Sequence, residues 1–319
     1  MIPIIIAGPT ATGKTDLALQ LAREKDGYLI NSDSRQLYQG LDIISGKDLP
    51  PGAKFHLVKK IQIDDQIINL GFYQFATDNK QSKIDIWLYD ALPLTFKSSP
   101  TIWVRLVNEI LTLNKERVQT PIFVGGTGHY LRQLLDPPAT SHIPLDQGLR
   151  SKIKDLRIGE LQKMLQTESP EIWEKLNNSE KNNTQRLVRK IEIARYNCTN
   201  VHMYKHTNAK SGIENYKLRI LPLPENRETY RKSIETRVRR RLEIGAVGEV
   251  ESLIKAGYSL HEPGMQSLGV REIATYLTGG IDIETLISNW TTSEYHYALR
   301  QETYFKKYIS PLVAKPNNL

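Results

Sequence analysis

An α/β fold, a P-loop NTPase-like parallel sheet core with an inserted helical subdomain, is predicted from three features of the chain. The apolar run Ile4–Ala7 leads directly into Gly8-Pro9-Thr10-Ala11-Thr12-Gly13-Lys14-Thr15 and then into a helical pattern. Further apolar runs at 28–31, 84–89 and 121–124 alternate with helix-period segments, as in a parallel sheet covered by helices. After Asp136-Pro137-Pro138 the chain becomes polar, charged and helix-like, which marks the insertion.

Each element follows in order. The strand at 4–7 ends in Gly8 and Gly13, whose freedom from a Cβ lets backbone N–H groups turn inward ahead of a helix starting at Lys14. That helix runs 14–24, with Leu17, Ala18 and Leu21 on one face. The strand at 28–31 delivers Asp33-Ser34-Arg35-Gln36 to the carboxyl edge of the sheet, where open α/β sheets bind ligands. Residues 59–63 and 66–70 alternate apolar and polar around Asp64-Asp65, a β-hairpin in a surface insertion spanning about 52–83. The core resumes with a strand at 84–89, a helix at 101–113 and a strand at 121–124 that presents Gly125-Gly126-Thr127-Gly128. Residues 146–182 form the helical subdomain, ending in a loop at 177–183, with Thr184 capping a helix at 185–196. A strand at 217–224 returns to the sheet, followed by helices at 228–244, 247–256 and 290–308. The expected organisation is a core at 1–137 carrying the hairpin, an inserted helical subdomain at 138–184, and a completing segment at 185–319.

Composition narrows the setting. In 319 residues, 43 Lys and Arg against 35 Asp and Glu leave +8, compatible with a nucleic-acid partner without establishing one. Cys198 is the single cysteine, which excludes an intramolecular disulfide or a cysteine-based zinc site and fits a reducing cytoplasm. No stretch reaches the ~18 apolar residues of a membrane helix, so a soluble, monomeric, cytoplasmic protein is expected.

The chemistry concentrates at the sheet edge. Gly8 to Thr15 make a cradle for a di- or triphosphate: loop N–H groups and the helix end attract the anion, Lys14 adds a point charge, and the Thr15 hydroxyl suits a magnesium ion, Mg2+. The loop leaves open whether the phosphates are transferred, as in a kinase, or leave as diphosphate. Asp33 is a candidate general base toward a hydroxyl or an amine, a magnesium ligand, or a cap on the following turn. Gly125–Gly128 would let backbone approach a ligand, with Thr127 offering a hydroxyl. Basic clusters at Arg186, Arg189 and Lys190, at 237–241, and at Arg300 between Tyr297 and Tyr304 fall on helix faces. Each suits either a solvated face or phosphates and unstacked bases.

In order and spacing these motifs resemble the tRNA dimethylallyltransferases, over most of the chain. The likeness runs through GPTATGKT, Asp33-Ser34-Arg35-Gln36-Leu37-Tyr38, Gly40-Leu41-Asp42-Ile43 with Lys47, PIFVGGTGHY at 121–130, Arg150, QRLVRKIE at 185–192, SLGVRE at 267–272 and LRQETYF at 299–305. The resemblance implies prenylation of an adenine beside the anticodon, with dimethylallyl diphosphate rather than ATP on the phosphate loop. It implies Asp33 as the base, Lys14 and Thr127 as its catalytic companions, and the anticodon stem-loop as partner. Implied tRNA contacts are Asp33, Ser34, Arg35, Gln36, Thr127, Arg150, Gln185, Arg186, Leu187, Val188, Arg189, Ser267, Leu268, Gly269, Val270, Arg271, Glu272, Arg300, Gln301 and Tyr304. The chain departs from the family at Leu299, Val270, Tyr304 and across 52–83, with Trp87-Leu88-Tyr89-Asp90 resuming the pattern. Alternative readings are a prenyltransferase acting on free adenine nucleotide, a small-molecule kinase, and a non-catalytic RNA-binding protein.

Overall fold

The structure is a computed structural model that describes residues 1–50, 52–63, 65–76, 83–141, 143, 145–199, 213 and 215–313. In it the chain divides into two units, 1–136 with 212–319, and 137–211.

The first unit is built on a seven-stranded sheet ordered β3-β4-β5-β2-β6-β1-β7. Its members are β1 (Ile4–Ala7), β2 (Gly27–Asn31), β3 (Lys54–Ile63), β4 (Gln66–Ala76), β5 (Lys83–Trp87), β6 (Thr120–Gly125) and β7 (Lys217–Ile220). The five strands β5, β2, β6, β1 and β7 are parallel, with β1 seated between β6 (Ile5↔Phe123) and β7 (Ile5↔Leu218). Every residue of β2 and β6 is buried, which is why these runs read as apolar rather than alternating, whereas β7 at the sheet edge buries none of its residues fully. The hairpin β3–β4 is longer than expected. It joins the sheet as its antiparallel edge through Phe72↔Trp87 to Ala76↔Lys83, rather than standing off as a surface insertion. Asp64 and residues 77–82 of that segment lie outside the described residues.

Helices α1 (Lys14–Glu24), α2 (Asp42–Ser45), α3 (Pro100–Leu113) and α4 (Gly128–Leu135) belong to the same unit. The start of α3 shows why it forms there: Ser99 accepts the Ile102 N–H, Pro100 occupies the first turn, and Trp103, Leu106, Val107 and Ile110 make the buried stripe. The strand expected to 89 stops at Trp87, because Leu88 (φ +67°) and Asp90 (φ +55°) take left-handed backbone that no strand tolerates.

The second unit contains α5 (Gln147–Ile153), α6 (Ile158–Glu168), α7 (Pro170–Glu174), α8 (Asn178–Lys181) and α9 (Thr184–Thr199). Leu149, Ile153, Leu161, Leu165, Leu187 and Ile191 form its own apolar cluster. The expected boundary at 184/185 therefore moves: α9 buries its apolar stripe against α6, and the unit extends to 211. The cap of α9 is corrected too. Asn183, not Thr184, accepts the Arg186 N–H at 3.0 Å, and the expected loop at 177–183 contains α8, capped by Asn177.

The first unit is completed by α10 (Arg227–Glu243), α11 (Ala246–Lys255), α12 (Val270–Leu277) and α13 (Ile283–Tyr304). Asp282 caps α13, which starts earlier than expected and passes into a π-helical turn at Phe305–Ile309. Among the described residues no helix is long and apolar enough to cross a membrane.

Candidate active site

The carboxyl ends of β1, β2 and β6 converge on a cleft of about 370 Å³ lined by residues 10–16, Asp33, Gln36, Asp48, Tyr89, Gly125 and Arg237, among others. The loop after β1 forms its floor. Gly8 sits at φ +149°, and a Cβ there would lie 2.5 Å from the Leu221 carbonyl, so only glycine lets β7 pack beside the loop. Gly13 at φ +77° turns the chain into α1. The Thr12 hydroxyl donates to the Pro9 carbonyl at 2.9 Å, and the Lys14 ammonium folds back onto that same carbonyl. Burial lowers the Lys14 pKa to about 8; the Asp33 carboxylate counters this and Arg237 adds to it.

The opposite wall is the turn after β2. Buried Asn31 holds Asp33 by both backbone groups: its Oδ1 accepts the Asp33 N–H at 2.8 Å and its Nδ2 donates to the Asp33 carbonyl at 2.9 Å. Asp33 Oδ1 in turn accepts the Arg35 N–H at 3.0 Å. The carboxylate thus caps its turn with one oxygen, the capping reading of Asp33, and also lines the cleft. Thr127 ties this turn to β6, its Oγ1 accepting the Ser34 N–H at 2.9 Å while its own N–H donates to the Ser32 carbonyl at 3.1 Å.

The glycines of 125–128 are required by packing, and Gly125 lines the cleft as well. A Cβ on Gly125 would strike Ser32 at 2.4 Å, on Gly126 the Gln301 amide at 2.3 Å, and on Gly128 the Tyr304 ring at 2.4 Å. These contacts bring β2 and α13 against the end of β6, a packing role the sequence did not show.

The third wall was not foreseen. Gln301 is 6 % exposed, and its amide bridges two loops: Oε1 accepts the Thr10 N–H and Nε2 donates to the Gly126 carbonyl, each at 2.9 Å. From α10, the Tyr230 hydroxyl donates to the Thr10 carbonyl at 2.7 Å, and Arg237 donates to Thr10 Oγ1 at 3.0 Å and to Asp48 at 3.5 Å. Arg237 stood in the sequence as one of several arginines on a helix face. Its half-buried place beside the loop after β1 leaves no local signal, because its partner lies 227 residues away.

The expected tRNA contacts divide by exposure. Leu187, Ser267, Gly269, Val270 and Gln301 are buried, and their roles are structural. Leu187 is core of the helical unit, Ser267 donates to the Gly264 carbonyl at 2.9 Å, Gly269 backs onto the Trp290 ring, and Val270 is in the main core. Glu272 is taken up by the Gly269 N–H at 3.1 Å and the Ser293 hydroxyl at 2.7 Å. Gln185, Arg186, Arg271 and Arg300 are exposed; Ser34, Arg35, Gln36, Val188, Leu268 and Tyr304 are half-buried. Within the helical unit, Glu192 accepts from Arg150 at 2.6 and 3.1 Å and from Arg189 at 3.1 Å, so both arginines are held by one buried carboxylate.

Comparison with known proteins decides the family. The IPP transferase model matches residues 74–308, and an isopentenyl transferase model matches residues 1–89. The chain belongs to the IPP transferase family. It is 30% identical to tRNA dimethylallyltransferase 2 of Geotalea uraniireducens (strain Rf4), over 95% of this chain and 89% of that one. To tRNA dimethylallyltransferase 2 of Shewanella sediminis (strain HAW-EB3) it is 32% identical, over 95% and 88% respectively. Among solved structures, a eukaryotic dimethylallyltransferase acting on tRNA shares the fold, with a TM-score of 0.72 at 21% identity over 99% of this chain and 72% of that one.

Proposed function

We propose that this IPP transferase moves a dimethylallyl group from dimethylallyl diphosphate to the exocyclic amine, N6, of the adenine 3′ to the anticodon in tRNA, releasing diphosphate. The observation that carries the reading is one cleft holding Lys14 and Asp33 on facing walls, in a chain of this family. The diphosphate lies on the P-loop of a P-loop NTPase-like core, against the N–H groups of residues 11–15, Lys14 and Arg237.

The amine of adenine is a weak nucleophile, since its lone pair is delocalised into the ring. Attack on the allylic carbon forms the N6–C bond as the C–O bond to diphosphate breaks, the electron pair leaving on oxygen. Lys14 and Arg237 stabilise that developing charge, and Asp33 takes the N6 proton, a step worth about 10²–10⁴-fold. Asn31 and Thr127 orient the Asp33 turn through the bonds described above. The adenine enters unstacked from the anticodon loop, with Arg35, Arg186, Arg271, Arg300 and Tyr304 among the groups that meet the stem-loop.

Thr15 and Asp48 offer oxygen donors in the cleft, a kind that suits Mg2+ and leaves Asp33 free as the base. Among the described residues no three His, Cys, Asp or Glu side chains cluster, so the ion would take its remaining ligands from diphosphate and water. When bound, it neutralises diphosphate charge. In this reading the protein is a monomer in the cytoplasm, a reducing setting that suits its single, exposed cysteine, Cys198.

The test is to incubate the protein with magnesium, dimethylallyl diphosphate and unmodified tRNA, then digest the tRNA and weigh its nucleosides. Adenosine heavier by one dimethylallyl group is expected, and Asp33→Ala should lower its rate about 10²–10⁴-fold with tRNA affinity retained. Prenylated AMP with nothing on tRNA would replace the acceptor, and near-normal turnover of Asp33→Ala would remove Asp33 as the base.

A further inference from the structure

The cleft contains a phenol that the reaction outlined above does not use. Tyr89 is 3 % exposed, with its ring in the buried cluster that includes Ile6, Ala18 and Val124 under α1. It nevertheless lines the cleft together with Lys14, Thr15, Asp33 and Arg237. Among the described residues no group hydrogen-bonds its hydroxyl, whose oxygen is not sealed in the core but reaches the cleft, where it can meet a ligand.

The backbone is strained to aim this side chain. Leu88 at φ +67° and Asp90 at φ +55° flank Tyr89, and neither is a residue for which left-handed backbone comes free. Each is locked from outside. Leu88 is fully buried and its carbonyl accepts the Asn31 Nδ2–H at 3.2 Å. The Asp90 carboxylate is ion-paired to buried Lys47 and accepts the Tyr73 hydroxyl at 2.6 Å, while its carbonyl accepts Gln39 Nε2–H at 2.9 Å. Asn31 therefore sets Asp33 and the Tyr89 segment with one amide, coupling the two walls. Strain held by so many contacts, beside a polar tip left open to the cleft, marks a side chain placed for a ligand.

Resting on the reading of the cleft as the dimethylallyl diphosphate site, we infer that the Tyr89 hydroxyl donates a hydrogen bond to a non-bridging oxygen of the donor's diphosphate and holds it as it leaves. The phenol is a donor and not a base: burial, then the nearby Asp33 and Asp48 carboxylates, push its pKa up, so the proton stays on oxygen. Arg237 acts on it and Lys14 lines the same cleft, cations that match an anionic acceptor, while the nearby Asp33 and Asp48 carboxylates favour a group that donates rather than accepts at this position.

Tyr89→Phe tests this, since the ring that packs in the core remains. The affinity for magnesium diphosphate, measured calorimetrically, should fall about 10- to 100-fold, the range for a lost hydrogen bond to a charged group. The KM for dimethylallyl diphosphate should rise or kcat fall in proportion, with tRNA affinity and thermal midpoint unchanged. Tyr89→Leu, lacking the ring as well, should lose the same diphosphate affinity and also stability. Wild-type diphosphate affinity in Tyr89→Phe would overturn the inference, as would equal losses of tRNA affinity and stability, which mean packing. If wild type itself neither bound diphosphate nor prenylated tRNA, the reading of the cleft would fall instead.

Discussion

Gln301 separates two accounts of α13, and replacing it with methionine decides between them. As a tRNA contact, Gln301 would matter only when RNA is bound. As the clamp between the loop at Thr10 and the end of β6 at Gly126, it matters to the free protein. Methionine nearly preserves volume, so the cavity cost is small and the loss is the two hydrogen bonds. The Gly126 carbonyl is in a buried bond and is left unpaired, costing about 1–3 kcal/mol. The Thr10 N–H is only part-buried, so water offsets some of its loss. About 2–4 kcal/mol of stability should disappear, visible as a lower midpoint in urea with the slope unchanged. Because Thr10 lies in the phosphate loop, diphosphate affinity should drop as well, while tRNA affinity measured at low temperature stays near wild type. A stability change below about 0.5 kcal/mol combined with weakened tRNA binding would refute the clamp and restore the contact role.

Two further outcomes follow from the charges in the structure. With its pKa lowered to about 8, Lys14 is cationic at pH 7 and mostly neutral at pH 9. Diphosphate affinity should therefore fall about tenfold per pH unit above pH 8, and Lys14→Arg, which stays charged, should flatten that slope in calorimetric titrations. In the helical unit, Glu192→Gln removes the buried charge that holds Arg150 and Arg189. Both arginines are partly solvated, so the cost should be about 2 kcal/mol, below the range for fully buried pairs. Proteolysis within 137–211 should accelerate, and unchanged resistance would show the pairs to be dispensable.

What the sequence made legible was local. A strand, a glycine-bracketed turn and a helix within twenty-four residues were readable, because each step has its own periodicity or backbone requirement. The placement of Asp33 and Thr127 on the same edge followed from parallel strands alone. What stayed hidden was held by contacts between distant parts of the chain. Gln301 meets Thr10 across 291 residues, and neither residue type carries a sign of that pairing. The αL positions at Leu88 and Asp90 were invisible for the opposite reason: leucine and aspartate in an apolar run predict strand, and the lock comes from Asn31, Lys47 and Tyr73. In the SLGVRE stretch, Glu272 returning to the Gly269 N–H is a readable helix start, yet the motif drew attention to RNA instead.

The long-range contacts give the cleft a particular logic. Its floor comes from the first fifteen residues, but the carbonyl, hydroxyl and N–H of Thr10 are all taken by residues of α10 and α13, namely Tyr230, Arg237 and Gln301. A phosphate loop presents its N–H groups usefully only when its backbone is fixed, since an anion gains most from dipoles that need not reorganise. In this chain the fixing groups follow the helical insertion in sequence, so the cleft is complete only once the segment after residue 212 has folded back onto β1. The same helices expose Arg300 and bring Tyr304 against Gly128. Groups that set the donor loop and groups available to the acceptor RNA therefore share one rigid element. A shift of α13 on RNA binding would reach Thr10 through a single buried amide, without any intervening loop.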